Sequence, residues 1–245
     1  MRTNNTALAV FFEIMIKKVI RFILCLILAV MLIFTTLGYF QYKTAIHSIS
    51  IEDKVAQIQA DENYILLNQV SDYLKDATVA IEDRRFYEHH GVDFIAWLRI
   101  AKDLIFTQQI NSGGSTITQQ LAKNMYFGYE PSLIRKFSEL FVVHDLESRY
   151  DKDTILELYI NIINYGDNNF GIHDAAYNYY GVSPADLDLD QASILAGIPQ
   201  SPAYLQLSNL SMKTIYKQKA VLSAMVKEGM ITQAEMDAVM RNKGE

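Results

Sequence analysis

Apolar and polar positions along the chain form one unbroken apolar block followed by a series of helical repeats. Residues 22–40 run for 19 positions without a charge, enough to cross ~30 Å of hydrocarbon as a helix. Residues 43–66 are polar and weakly patterned, and read as a stalk. From Tyr73 the apolar spacing becomes helical. Phe94, Ile95, Trp97, Leu98, Ile100, Ala101, Leu104 and Ile105 give residues 92–106 a broad helical face, which is either ordinary core or, beside a bilayer, a surface that dips into lipid. Residues 107–114 read as a mobile loop. Thr116 and Gln119, at capping-box spacing, start the next helix. Further helices are expected over 132–150, 154–165, 187–197 and 211–228. Gly229 ends the last of these, and Thr232 with Glu235 opens a short final helix. Two-residue alternation and internal repeats are both missing, so the domain is mainly α. The pattern divides the chain into a cytoplasmic N-terminus (1–21), a transmembrane anchor (22–42), a stalk (43–66) and a helical domain (67–245).

Charge orients this arrangement. Lys17, Lys18 and Arg21 directly precede the apolar run, so the positive-inside rule keeps the N-terminus in the cytoplasm and sends the domain outside. A cleaved signal peptide is the alternative. The run is longer than a signal core, and Thr36, Gly38, Tyr39, Phe40 and Gln41 offer no small-x-small cleavage site. The 245-residue chain carries a formal charge of −6, and its basic N-terminus leaves the domain more acidic still. Nucleic acid is therefore not an expected partner, and any anionic substrate needs cations concentrated locally. Cys25, the single cysteine, excludes an intrachain disulfide and reads as lipid-facing.

Three polar clusters interrupt the helical background. In the first, residues 82–91, Glu82 leaves the apolar Val79, Ala80 and Ile81 for a charged turn. That placement suits a base of raised pKa, and equally a solvated helix end with local salt bridges. Adjacent His89 and His90 point apart on a helix and form no metal pair; His89 reads as structural. The second cluster leads Gly113 and Gly114 into the hydroxyl-rich start of a helix, an anion cradle with Lys123 two turns along. It lacks the Gly-Lys-Ser/Thr ending of a nucleotide P-loop. In the third, Arg135 and Glu139 share a helix face, which taken alone is an exposed ion pair of ~0.3–0.5 kcal/mol.

In this order the clusters resemble the motifs of the peptidoglycan glycosyltransferases, family 51 of the glycosyltransferases, over residues 68–240. The motif E-D-x-x-F-x-x-H-x-G is Glu82, Asp83, Phe86, His89 and Gly91; G-x-S-T-I-T-Q-Q is Gly113 and residues 115–120. Arg135, Lys136 and Glu139 give R-K-x-x-E. Lys152, Ile155, Leu156, Glu157, Tyr159 and Asn161 give K-x-x-I-L-E-x-Y-x-N. A fifth motif, R-R-x-x-V-L, departs from the pattern: Lys217 and Gln218 replace the arginines of its bracing role before Val221 and Leu222. Pro131 stands where many members carry a pyrophosphate-binding arginine, and proline suits instead the first turn of the following helix. The S-x-x-K and K-T-G motifs of a transpeptidase module do not occur, so a monofunctional chain is expected.

The resemblance implies a two-lobed, lysozyme-like helical domain with its cleft toward the membrane, and an enzyme that polymerises lipid II. The 4-hydroxyl of one GlcNAc-MurNAc unit would attack the anomeric carbon of a chain held on undecaprenyl pyrophosphate, with inversion. By carry-over Glu82 is the general base, and Lys123, Arg135 and Lys136 neutralise the pyrophosphate. Asp83, Phe86, Ser115 and Gln120 are carried over as substrate-binding. Glu139 has three readings: a ligand for a divalent cation (Mg or Mn) bridging the pyrophosphate, a proton donor to a leaving oxygen, or an organiser of the neighbouring cations, the reading preferred. No organic cofactor is implied. Expected partners are lipid II, the nascent glycan strand, the cytoplasmic membrane and other cell-wall synthesis proteins. The rival functions are a family member acting as a scaffold without turnover and a muramidase, which needs paired carboxylates but neither the cation trio nor a tether.

Overall fold

A computed structural model describes residues 2–107, 114–128, 131–209 and 211–241. Gly113 and the loop at 108–113 lie outside the described residues, as do the side chains of Ile100, Ala101, Leu104 and Ile105. Among the described residues the chain is helical, without strands. In order the helices are α1 (Arg2–Ser48), α2 (Ile51–Gln59), α3 (Asp72–Glu82), α4 (Phe94–Thr107), α5 (Ile117–Tyr126), α6 (Leu133–Arg149), α7 (Lys152–Ile162), α8 (Ile172–Tyr180), α9 (Leu189–Gly197), α10 (Pro202–Leu205), α11 (Met212–Lys227) and α12 (Gln233–Arg241).

Caps set most of these boundaries. Thr116 accepts from Gln119 N while the Gln119 side chain accepts from Thr116 N, the reciprocal box expected for α5. Thr232 and Glu235 open α12 in the same way, and Gly229, at φ +73°, turns the chain after α11. Asp151 starts α7 earlier than its apolar spacing suggests, because its carboxylate accepts from Thr154 N at 2.8 Å. Ser132 is the N-cap of α6. Pro131 therefore lies outside that helix, not in its first turn as expected.

Two helical groups share one core. α3, α9 and α11 pack on one another, while α5 packs against α6 and α7. Leu74, Phe86, Leu121, Val142, Leu146, Ile155, Tyr159, Leu195 and Val221 are fully buried between them, each contributing roughly 1.5–3 kcal/mol by leaving water. The catalytic candidates come from both groups, so the core fixes one set against the other.

Residues 51–66, read as a stalk, belong to the packed domain. Ile51 and Val55 of α2 are buried in the core. Tyr64 donates to Glu157 Oε1 at 2.6 Å and Leu67 N donates to Glu157 Oε2 at 2.7 Å. Asn161 grips the backbone of Ile65 twice, accepting from its N–H and donating to its carbonyl at 2.8 Å. The fourth motif thus clamps this segment by hydrogen bonds, which leave no apolar period in the sequence.

The apolar run is part of α1, a single helix of 47 residues, about 70 Å long at 1.5 Å per residue. It is long and apolar enough to cross a membrane. Residues 11–33 are exposed throughout, whereas Gly38 and Tyr42 are buried against α6.

Candidate active site

Helix α3 buries Val79 and Ala80 and ends on Glu82, with Asp83 as its C-cap. Glu82 Oε2 accepts from Gln120 Nε2 at 2.6 Å, while Oε1 is buried without a partner. The Tyr159 hydroxyl donates to Gln120 Oε1 at 3.3 Å, which leaves the amide nitrogen facing Glu82. Burial raises the Glu82 pKa above the ordinary carboxylate value, offset in part by the Gln120 hydrogen bond and the charges of Lys217 and Lys123. The negative end of the α3 dipole works in the same direction as burial. A carboxylate so placed is a proton acceptor poised nearer neutrality than one in water.

The remainder of the first motif faces inward. Asp83 accepts from His89 Nε2 at 2.9 and 3.0 Å and from Ile117 N at 3.1 Å, and His89 Nδ1 accepts from Gly91 N at 3.1 Å. Phe86 is fully buried beneath the Lys152 ammonium, 4.5 Å from its ring centre. These contacts join the end of α3 to the start of α5: Phe86, expected to bind substrate, has no surface to offer, while Asp83 binds internal donors and also borders the cavity beside Glu82. Gly91 has φ +82°, and a Cβ there would strike Val143 Cγ1 at 2.3 Å. That turn admits glycine alone.

The second and third motifs meet at the N-termini of α5 and α6. Thr116 Oγ1 donates to Gly91 O at 2.7 Å, fixing α5 to the motif-one turn. Lys136 Nζ donates to Ser115 Oγ at 2.9 Å and to Glu139 Oε2 at 2.8 Å. Arg135 Nε stands 3.1 Å from Glu139 Oε1, close for charge though misaligned for a hydrogen bond, and its Nη1 donates to Gly128 O at 2.9 Å. Glu139 is 1% exposed, so the surface ion pair read from spacing is a buried one. Its two oxygens already face two cations, and the described residues hold no group of three metal-binding side chains. That arrangement suits an organiser of cations. Burial lowers the Lys123 pKa; Glu139 and Glu82 both favour its charged form and Arg135 and Lys136 oppose it. Lys123 thus feels Glu82 with its partner Gln120 on one side and the Arg135, Lys136 and Glu139 group, joined to Ser115, on the other.

A cavity of about 280 Å³, which Lys123, Arg135 and Lys136 do not line, opens at Glu82 and Ser115; Asp83, Gly114 and Thr116 line it too and, beyond them, Arg84, Arg99 and Lys227. Sequence reasoning missed those three, and also the part played by the altered fifth motif. Lys217 Nζ donates to Gln200 Oε1 at 2.6 Å, and its charge favours ionised Glu82. Buried Gln218 donates to Asp190 Oδ1 at 2.6 Å and reaches Ser193 Oγ at 3.1 Å, so α11 remains braced to α9 without either arginine.

The Transglycosylase family matches residues 51–226. A monofunctional glycosyltransferase of Staphylococcus saprophyticus is 34% identical over 199 residues, 78% of this chain and 73% of its own length. Penicillin-binding protein 1A of Escherichia coli is 38% identical over 173 residues, 71% of this chain, and that of Neisseria flavescens is 40% identical over 171 residues, 69% of this chain. The chain spans about a fifth of the length of these two longer relatives.

Proposed function

Because the chain belongs to the Transglycosylase family, we propose that it polymerises lipid II into the glycan strands of the bacterial cell wall. The observation that carries this reading is Glu82, a half-buried carboxylate of raised pKa with an enclosed Oε1, coupled by charge to Lys123, which is coupled in turn to Arg135 and Lys136. The acceptor 4-hydroxyl loses its proton to Glu82 as its oxygen bonds to the donor anomeric carbon from the face opposite the pyrophosphate. The carbon–pyrophosphate bond breaks with the electron pair leaving on phosphate, where the three cations and the Ser115 hydroxyl receive it. Gln120 holds the Glu82 carboxylate in line. Glu139 keeps Arg135 and Lys136 in place.

The membrane arrangement follows from the same reading. Lys17, Lys18 and Arg21 hold the N-terminus of α1 in the cytoplasm, the domain stands outside, and the exposed Phe94, Ile95 and Leu98 of α4 enter the outer leaflet beside the cleft. The substrate's lipid tail then stays in the bilayer while its pyrophosphate meets the cations.

The deciding experiment supplies labelled lipid II to the full-length protein in liposomes. Wild type should form polymer, and Glu82→Gln should be slower by at least ~10²-fold, the usual worth of a general base. Absence of polymer from wild type would overturn the reading. Cleavage of finished glycan in a parallel sample would replace it with a muramidase.

A further inference from the structure

Anchor and catalytic helix share a seam that a mere tether does not require. At Gly38 a Cβ would stand 2.7 Å from Phe137 Cβ and 3.0 Å from both the Phe137 carbonyl carbon and the Ser138 nitrogen. Backbone atoms cannot rotate away, so a larger residue forces the helices apart. On either side of this crossing, Phe34 stacks on Phe137 at 6.0 Å, and Tyr39 and Tyr42 pack on Phe141 at 5.4 and 5.5 Å. Gln41 Oε1 lies 2.8 Å from the hydroxyl of buried Ser138, and Tyr42 donates to Asp145 Oδ2 at 2.5 Å. The contacts recur turn by turn along one face of α6. Arg135, Lys136 and Glu139 occupy the adjoining face, Glu139 next in sequence to Ser138. From there Lys136 crosses 2.9 Å to Ser115 at the start of α5, a bond that a small slide of α6 would break.

We propose that residues 34–42 of the anchor are a positioning element for the pyrophosphate site, with Gly38 setting the closeness of α1 to α6 and thereby the place of the cations. The proposal rests on the polymerisation reading above. A tether acts through local concentration, is indifferent to sequence and shows in KM. A positioning element shows in kcat, since a misplacement of ~1 Å can cost 10²-fold.

Two full-length variants in liposomes separate these roles. One replaces residues 22–33, all exposed, with an unrelated uncharged apolar segment; the other replaces residues 34–42 with leucines. Both keep one span and the preceding Lys17, Lys18 and Arg21. The first should hold kcat for lipid II within about twofold of wild type, and the second should lose at least about tenfold in kcat with KM little changed. Gly38→Ala, a milder insertion, should lose several-fold in kcat while melting cooperatively, and it decides the matter if the leucine variant fails to fold. Wild-type kcat in the leucine variant or in Gly38→Ala would overturn the proposal. So would recovery of the leucine variant at saturating lipid II, which would reveal a concentration effect. A wild-type protein that makes no polymer refutes the reaction itself rather than the role of the anchor.

Discussion

Glu82 is held between opposing influences. Burial favours its protonated form, and Gln120, Lys217 and Lys123 favour the carboxylate. Because its folded-state pKa lies above the ordinary value, its ionisation costs folding stability as pH rises through the carboxylate range. Glu82→Gln should accordingly fold at least as well as wild type at neutral pH. Catalysis needs the ionised form, so the rate should fall as pH drops through this raised pKa. Lys217 supplies one of the lowering influences from the altered fifth motif. Lys217→Met removes it, and the acidic limb of kcat/KM should move to higher pH. Lys217→Arg keeps the charge and should leave that limb near its wild-type position. A limb unmoved by Lys217→Met would mean that its ammonium does not act on the base. Phe86 shows the limit of arguing from motif membership: it belongs to the same ten-residue signature as Glu82, yet it is fully buried.

Helix α5 carries Gln120 and Lys123, and its position depends on one residue at its start. Thr116 caps the helix through Gln119 N and ties it to the motif-one turn through Gly91 O. Thr116→Ala loses both contacts and leaves a carbonyl unpaired, a cost of about 1–2 kcal/mol. The melting temperature should fall by a few degrees and kcat with it, whereas Thr116→Ser should preserve both; normal turnover in the alanine variant would show that α5 is held by other means. The cap itself was legible, because its spacing is local and its chemistry specific, and the start of α12 was legible for the same reason. The docking of α2 was not. Tyr64 and Ile65 are secured by Glu157 and Asn161, far along the chain, through hydrogen bonds to which hydrophobic periodicity is blind. The brace of Gln218 was hidden similarly, since a glutamine can replace an arginine only where its acceptors, here Asp190 and Ser193, happen to lie within reach. The burial of Glu139 required tertiary structure, because an i, i+4 pair reads as exposed from spacing alone.

At the scale of the molecule, the continuity of α1 links membrane depth to the position of the cleft. If Arg21 marks the inner boundary, ~20 residues carry the helix across the hydrocarbon to about residue 41. α6 already lies against α1 at Phe34, about 10 Å short of that point. The first turn of α6, where Leu133 is 63% exposed, then sits below the outer boundary of the hydrocarbon. On the proposed reading helix α4 meets the same environment: Ala96 and Arg99 line the cavity, and Leu98, 71% exposed, points elsewhere with Phe94 and Ile95. Trp97 Nε1 donates to Gly114 O at 3.0 Å and ties this apolar face to the approach of the anion cradle. Leu98→Glu tests the immersion. The side chain supports no core, so the melting temperature should not change. Pressing a carboxylate into the interface costs on the order of 1 kcal/mol or more, so KM for bilayer-embedded lipid II should rise about five- to tenfold with kcat retained. Substrate presented in detergent micelles, where the domain need not enter a bilayer, should largely remove the difference. An unchanged KM in liposomes would place α4 in water and require another route by which the lipid-linked substrate reaches Glu82.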